Sequence, residues 1–75
     1  MRKHTLRQEQ IISCLLQGMS NREIAQELGL AERTIKAAFN RLFIMHEIHD
    51  PDKISRVVLA VKMYRERNEP QGSTR

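Results

Sequence analysis

Apolar residues recur at helical spacing along almost the whole chain, and no stretch alternates apolar and polar residues over the length of a strand. Ile11, Ile12, Leu15 and Leu16 form the first stripe, which predicts a helix from about Leu6 to Gln17. Thr5 and Gln8 stand at the spacing of a capping box at its start. Gly18 suits its end, because glycine takes the left-handed backbone beyond a helix without steric cost. Ser20-Asn21-Arg22-Glu23 is a second capping box; it opens a short helix that turns Ile24, Ala25 and Leu28 inward and closes at Gly29. A third helix begins after Leu30-Ala31 and aligns Ile35, Phe39, Leu42 and His46 on one face. Arg33, Lys36, Ala37, Asn40 and Ile44 fall on the opposite face, and the helix is expected to end near Met45–Ile48. Asp50 as N-cap and Pro51 at the first helical position open a fourth helix. Its stripe of Ile54, Val57, Val58 and Val61 is expected to face the core, with Leu59, Ala60 and Met63 on a second face beside Arg56.

The expected fold is therefore all-α, a four-helix bundle in one domain over residues 1–66. Residues 67–75 are polar and interrupted by Pro70 and Gly72, and read as a disordered tail. A chain of 75 residues leaves nothing over for a second folded unit. It offers neither a nucleophile motif nor a phosphate-cradling glycine loop, so an enzyme is not expected.

Charge and chemistry narrow the picture. Thirteen Lys and Arg against nine Asp and Glu leave a net charge of +4, a bias toward polyanions. One cysteine, Cys14, rules out an internal disulfide and a multi-cysteine zinc site; it lies beside the first apolar stripe and reads as a buried, inert thiol. His46 and His49 have a spacing that could suit a metal, but two ligands without a cysteine partner make no site, and no metal or cofactor is expected. The longest apolar run, Val57–Val61, is far too short for a membrane span, and the N-terminus lacks the apolar core of a secretory signal. With no Trp, one Tyr and two Phe in the chain, a base-stacking single-strand module is also disfavoured.

The segment from Ser20 to Leu42 has the layout of a helix-turn-helix: a capped short helix, a turn through Gly29-Leu30-Ala31, then a longer amphipathic helix. In such a motif the first helix braces across the phosphate backbone and the second lies in the major groove. Ala25 suits the close crossing of the two helices, and Gly29 suits the turn.

Two stretches, Leu15-Leu16-Gln17-Gly18-Met19-Ser20-Asn21-Arg22-Glu23-Ile24-Ala25 and Leu28-Gly29-Leu30-Ala31-Glu32-Arg33-Thr34-Ile35-Lys36, resemble the LuxR-type (GerE-like) helix-turn-helix family. That family reads roughly LLxxGxSNKEIAxxLGISExTVKxH here, and the resemblance extends over about Thr5 to Tyr64. It implies a four-helix domain whose third helix reads DNA and whose fourth helix dimerises. Most members are output domains of larger regulators, and stand-alone members of about this length exist. The chain departs from the pattern at several positions. His4 stands where the family has Leu before the N-cap, and Gln8 and Gln10 replace two early Glu. Ala38 replaces a His, and His46-Glu47-Ile48 replaces Leu-Gly-Val, which predicts that the third helix runs on or turns differently.

The resemblance implies a cytoplasmic, nucleoid-associated transcriptional regulator that binds specific double-stranded DNA through residues 32–43 and also meets RNA polymerase. Lys36 takes the family position that reaches base edges or nearby phosphate; Asn40 could pair bidentately with adenine, and Ala37 could pack on a thymine methyl. Ser20, Arg22, Arg33, Thr34 and Arg41 are the candidate phosphate contacts, with diffuse attraction from Arg2, Lys3 and Arg7. Leu59, Ala60 and Met63 are assigned to a homodimer interface. The alternative is a protein-interaction module of the same fold that binds another regulator and not DNA. Residues 20–41 hold four Lys and Arg against three Glu, a net charge of only +1, and Glu47, Asp50 and Asp52 form an acidic patch.

Overall fold

The computed structural model describes residues 3–68, with the backbone alone for Asp52 and Lys53. Four α-helices follow one another: α1 (Leu6–Leu16), α2 (Asn21–Leu28), α3 (Glu32–Met45) and α4 (Asp52–Asn68). There is no strand among the described residues.

Local sequence sets the first two helices. The Thr5 hydroxyl accepts from the Gln8 amide while the Gln8 side chain accepts from the Thr5 amide. Ser20 and Glu23 make the same reciprocal pair at α2. Gly18 and Gly29 both take positive φ, 83° and 69°, ending α1 and α2 as expected. No such cap opens α3: Ala31 occupies the N-cap position and has no side chain able to bond the first turn. The C-terminal end of α3 is closed by Glu47, which holds the left-handed conformation at φ 57°. Of the two expectations there, the helix turns and does not run on; the backbone takes the bend a glycine would favour, with a glutamate in it.

Ile11, Ile12 and Leu15 of α1, Ile24 and Ala25 of α2, and Ile35, Phe39 and Leu42 of α3 are buried together, joined by Ile48 from the connection to α4. Cys14 is buried among them, and burial, with a smaller contribution from Glu27, raises its thiol pKa.

α4 contradicts the expected register. Leu59 and Met63 are 0% and 2% exposed, and with Ser55 they form its inward face. Ile54, Val57 and Val61 lie on the outside at 52%, 61% and 47% exposure, together with Tyr64. Leu59 and Met63 are thus core residues of their own subunit and are not available to a partner; Ala60, expected beside them, is partly buried against the core. The inversion has a physical source. Ser55 and Arg56 are polar, yet hydrogen bonds accommodate Ser55 in the core and hold Arg56 partly buried. The Ser55 hydroxyl donates to the Asp50 carbonyl, 2.6 Å, satisfying a polar group in the core. Arg56 donates to the Asn21 side-chain oxygen and to the Met19 carbonyl, and its guanidinium lies 4.7 Å from the Phe39 ring centroid.

Both boundaries of α4 differ slightly from expectation. The Ser55 amide bonds the Pro51 carbonyl, so Pro51 and not Asp50 stands at the helix boundary. At the other end Arg67 and Asn68 are helical, and Arg67 donates to Glu9 and Ser13 of α1. The remainder of the expected tail, residues 69–75, lies outside the described residues.

Candidate nucleic-acid interface

α3 presents its solvent face because its opposite face is committed to the core. With Ile35, Phe39 and Leu42 buried, Lys36, Asn40, Arg33, Ile44 and Ala37 occupy an arc of roughly 100° on the outside. All five are exposed. Lys36 and Asn40 are one turn apart, and Ala37 completes a short surface between them and Ile44. The three residues expected at bases thus share one exposed face.

The five expected at phosphate are exposed as well: Ser20 and Arg22 at the start of α2, Arg33 and Thr34 in the first turn of α3, and Arg41 on its flank. Among the described residues none of Arg22, Arg33, Lys36 or Arg41 makes an ion pair, whereas Arg67 is tied to Glu9. Their charges therefore face solvent unneutralised by a near partner. Ser20 is both the cap of α2 and a candidate phosphate contact. Its oxygen caps Glu23, 3.2 Å away, and its hydroxyl hydrogen remains able to donate. α3 opens without a side-chain cap, and the Thr34 amide bonds the Ala31 carbonyl instead.

Beside this face runs a groove lined by Asn21, Lys36, Phe39, Asn40, Phe43 and Arg56. Sequence reasoning named Arg56 only as a neighbour of the second face of α4 and gave it no part in this groove. α2 and α4 do not pack on one another, and the Arg56 side chain spans the gap, bonding the first residue of α2 and covering Phe39 of α3. Burial lowers its guanidinium pKa. Its partners lie 35 and 37 residues away, so no local pattern could have announced it.

A family model described as bacterial regulatory proteins, luxR family, matches residues 4–45, more than half of the chain. The chain belongs to this LuxR family. The matched segment runs from the residue before the α1 cap to the last residue of α3, and so contains the complete helix-turn-helix. As a LuxR-family chain it is a DNA-binding helix-turn-helix regulatory domain, in agreement with the all-helical fold. α4 lies beyond the match. Searches among curated proteins and among solved structures returned no match. No helix among the described residues is long and apolar enough to cross a membrane.

Proposed function

We propose that this LuxR-family domain binds specific double-stranded DNA sequences, as a transcriptional regulator or its output module, by laying α3 in the major groove. The observation that carries this reading is the single exposed face of α3 bearing Lys36, Ala37 and Asn40, bordered by arginines with no ion-pair partner among the described residues. Lys36 and Asn40 contact base edges, and Ala37 lies against a thymine methyl. Arg22, Arg33, Arg41, Thr34 and Ser20 hold phosphates on either side and fix the register. With a net charge of only +1 across residues 20–41, affinity depends on where these cations sit and not on bulk charge.

Two subunits bind together on adjacent half-sites. Support comes from the exposed apolar stripe of Ile54, Val57 and Val61 on α4, which replaces the Leu59 and Met63 surface expected from the sequence. A free subunit leaves this stripe in water.

Duplex sequences selected from a random pool, followed by titration of variants on the selected site, test the reading. Lys36→Ala is expected to weaken specific binding by about 1–3 kcal/mol and to relax preference at one base position. Arg22→Ala is expected to weaken all sequences alike and to reduce the salt slope by about one. A pool that yields no enriched sequence, with no salt-dependent duplex binding, would favour the protein-interaction alternative.

A further inference from the structure

His4 and His46 meet across the fold. His4 precedes α1 and is 7% exposed; His46 follows α3 as its C-cap and is partly buried. Their Nε2 atoms are 2.8 Å apart, with ring centroids separated by 5.1 Å. The Nδ1 of His4 lies 3.2 Å from a Glu9 carboxylate oxygen, and the other oxygen of Glu9 receives Arg67 of α4. Both histidines stand at positions where the LuxR-type pattern carries leucine.

The hydrogen-bond chemistry restricts what this pair can hold. A carboxylate only accepts, so Nδ1 of His4 must carry its hydrogen toward Glu9. When both rings are neutral, Nε2 of His4 is then bare and accepts from Nε2–H of His46. When His4 is cationic, its own Nε2–H donates to a bare Nε2 of His46. Either way one hydrogen lies between the rings. A second added proton would set two N–H groups against each other at 2.8 Å and two cations side by side. No group of three or more metal-ligating side chains exists among the described residues, so the natural occupant of the gap is a proton and not a metal ion.

We propose that His4 and His46 form an acid-sensitive clasp: with at most one added proton the pair ties the segment before α1 to the C-terminal end of α3, and the second proton opens it. The surroundings favour release at low pH. His46 faces His4 and Lys3 from the N-terminal segment, and Lys62 and Glu66 from α4. Burial lowers its pKa most; His4, Lys3 and Lys62 lower it further, and Glu66 alone opposes them. On the side of His4, Glu9 is the facing charge, shared with Arg67. With a folded pKa below that of the unfolded chain, His46 costs nothing above the usual histidine range. As pH falls through about 6.5 the unfolded chain takes up its proton first, and stability is lost until the folded ring is also protonated. This clasp does not depend on the DNA-binding reading.

The test is thermal unfolding of the full chain from pH 7.5 to pH 5, in EDTA. The parent is expected to lose melting temperature progressively as pH falls over that range. His4→Leu combined with His46→Leu is expected to flatten most of that slope; the exposed His49 remains in both proteins as the reference. Equal slopes would overturn the clasp. Should the double variant fail to fold, ¹⁵N histidine spectra of the parent decide. Linked titration of the two rings, with loss of their inter-ring contact by pH 5, supports it. Independent titration with that contact intact overturns it.

Discussion

Gly29 and Glu47 hold nearly the same left-handed backbone, φ 69° and 57°, and only one of them is suited to it. A Cβ at Gly29 would meet nothing within 4 Å, so the cost of replacing it is confined to the backbone. Gly29→Val is therefore expected to lose roughly 1–3 kcal/mol, since a β-branched residue is strained at positive φ. Glu47→Gly should act in the opposite sense. It relieves a non-glycine residue of a left-handed conformation costing about 1–2 kcal/mol, less what glycine loses in unfolded-chain entropy. Ala31 is a second correctable position: Ala31→Ser supplies the missing N-cap of α3 and is expected to add about 0.5–2 kcal/mol. Denaturant midpoints for the three variants check these signs; a stabilised Gly29→Val would mean that the turn is not held as described. At this scale the sequence was largely legible. Both capping boxes and both left-handed glycines are local features, readable within a few residues. The glutamate at the end of α3 was not, because its type argues against the conformation it adopts.

α1, α2 and α3 follow their apolar periodicity, since each has one dominant stripe and a polar remainder. α4 carries two competing stripes, and the more hydrophobic of them, Ile54, Val57 and Val61, is the exposed one. Apolar count decides burial only when every inward residue is apolar. Here the inward side also carries Ser55, satisfied by the Asp50 carbonyl, and Arg56, which donates to Asn21 and Met19 and covers Phe39. The partners of Arg56 are tertiary, so periodicity within the helix could not reveal them. The exposed face of α3, the one proposed to meet DNA, was legible because α3 has a single unambiguous core face, which leaves Lys36, Ala37 and Asn40 outside. The register of α4 gives a direct contrast. Leu59→Ala is expected to cost about 2–5 kcal/mol, as befits a fully buried leucine, whereas Val57→Ala should remain within about 0.5 kcal/mol. Equal losses at the two positions in urea unfolding would show the register to be wrong.

For the whole molecule, the consequence of that register is a domain with two outward surfaces of different chemistry. One is the cationic face of α3; the other is the apolar stripe of Ile54, Val57, Val61 and Tyr64 on α4, an arc of roughly 80°. In a two-fold pair each α4 would lay this stripe against its own copy, so that residue and partner residue exchange places as symmetry requires. A single helix against its copy buries less than the roughly 1,200–2,000 Å² of a stable specific interface. The free domain is therefore expected to be largely monomeric. In the proposed complex DNA would change the balance by fixing two subunits on neighbouring half-sites, which raises their effective concentration without any new protein contact. Binding to a duplex with two half-sites should accordingly be cooperative, while binding to one half-site should be simple. Val57→Asp combined with Val61→Asp places charges in the centre of the stripe and leaves the core residues Leu59 and Met63 untouched. The double variant is expected to keep its melting temperature and its single-site affinity and to lose the cooperativity. Sedimentation of the free protein and isotherms on one and two half-sites make the measurement. A double variant as cooperative as the parent would remove this face of α4 from the assembly and leave DNA-mediated coupling as the only link between subunits.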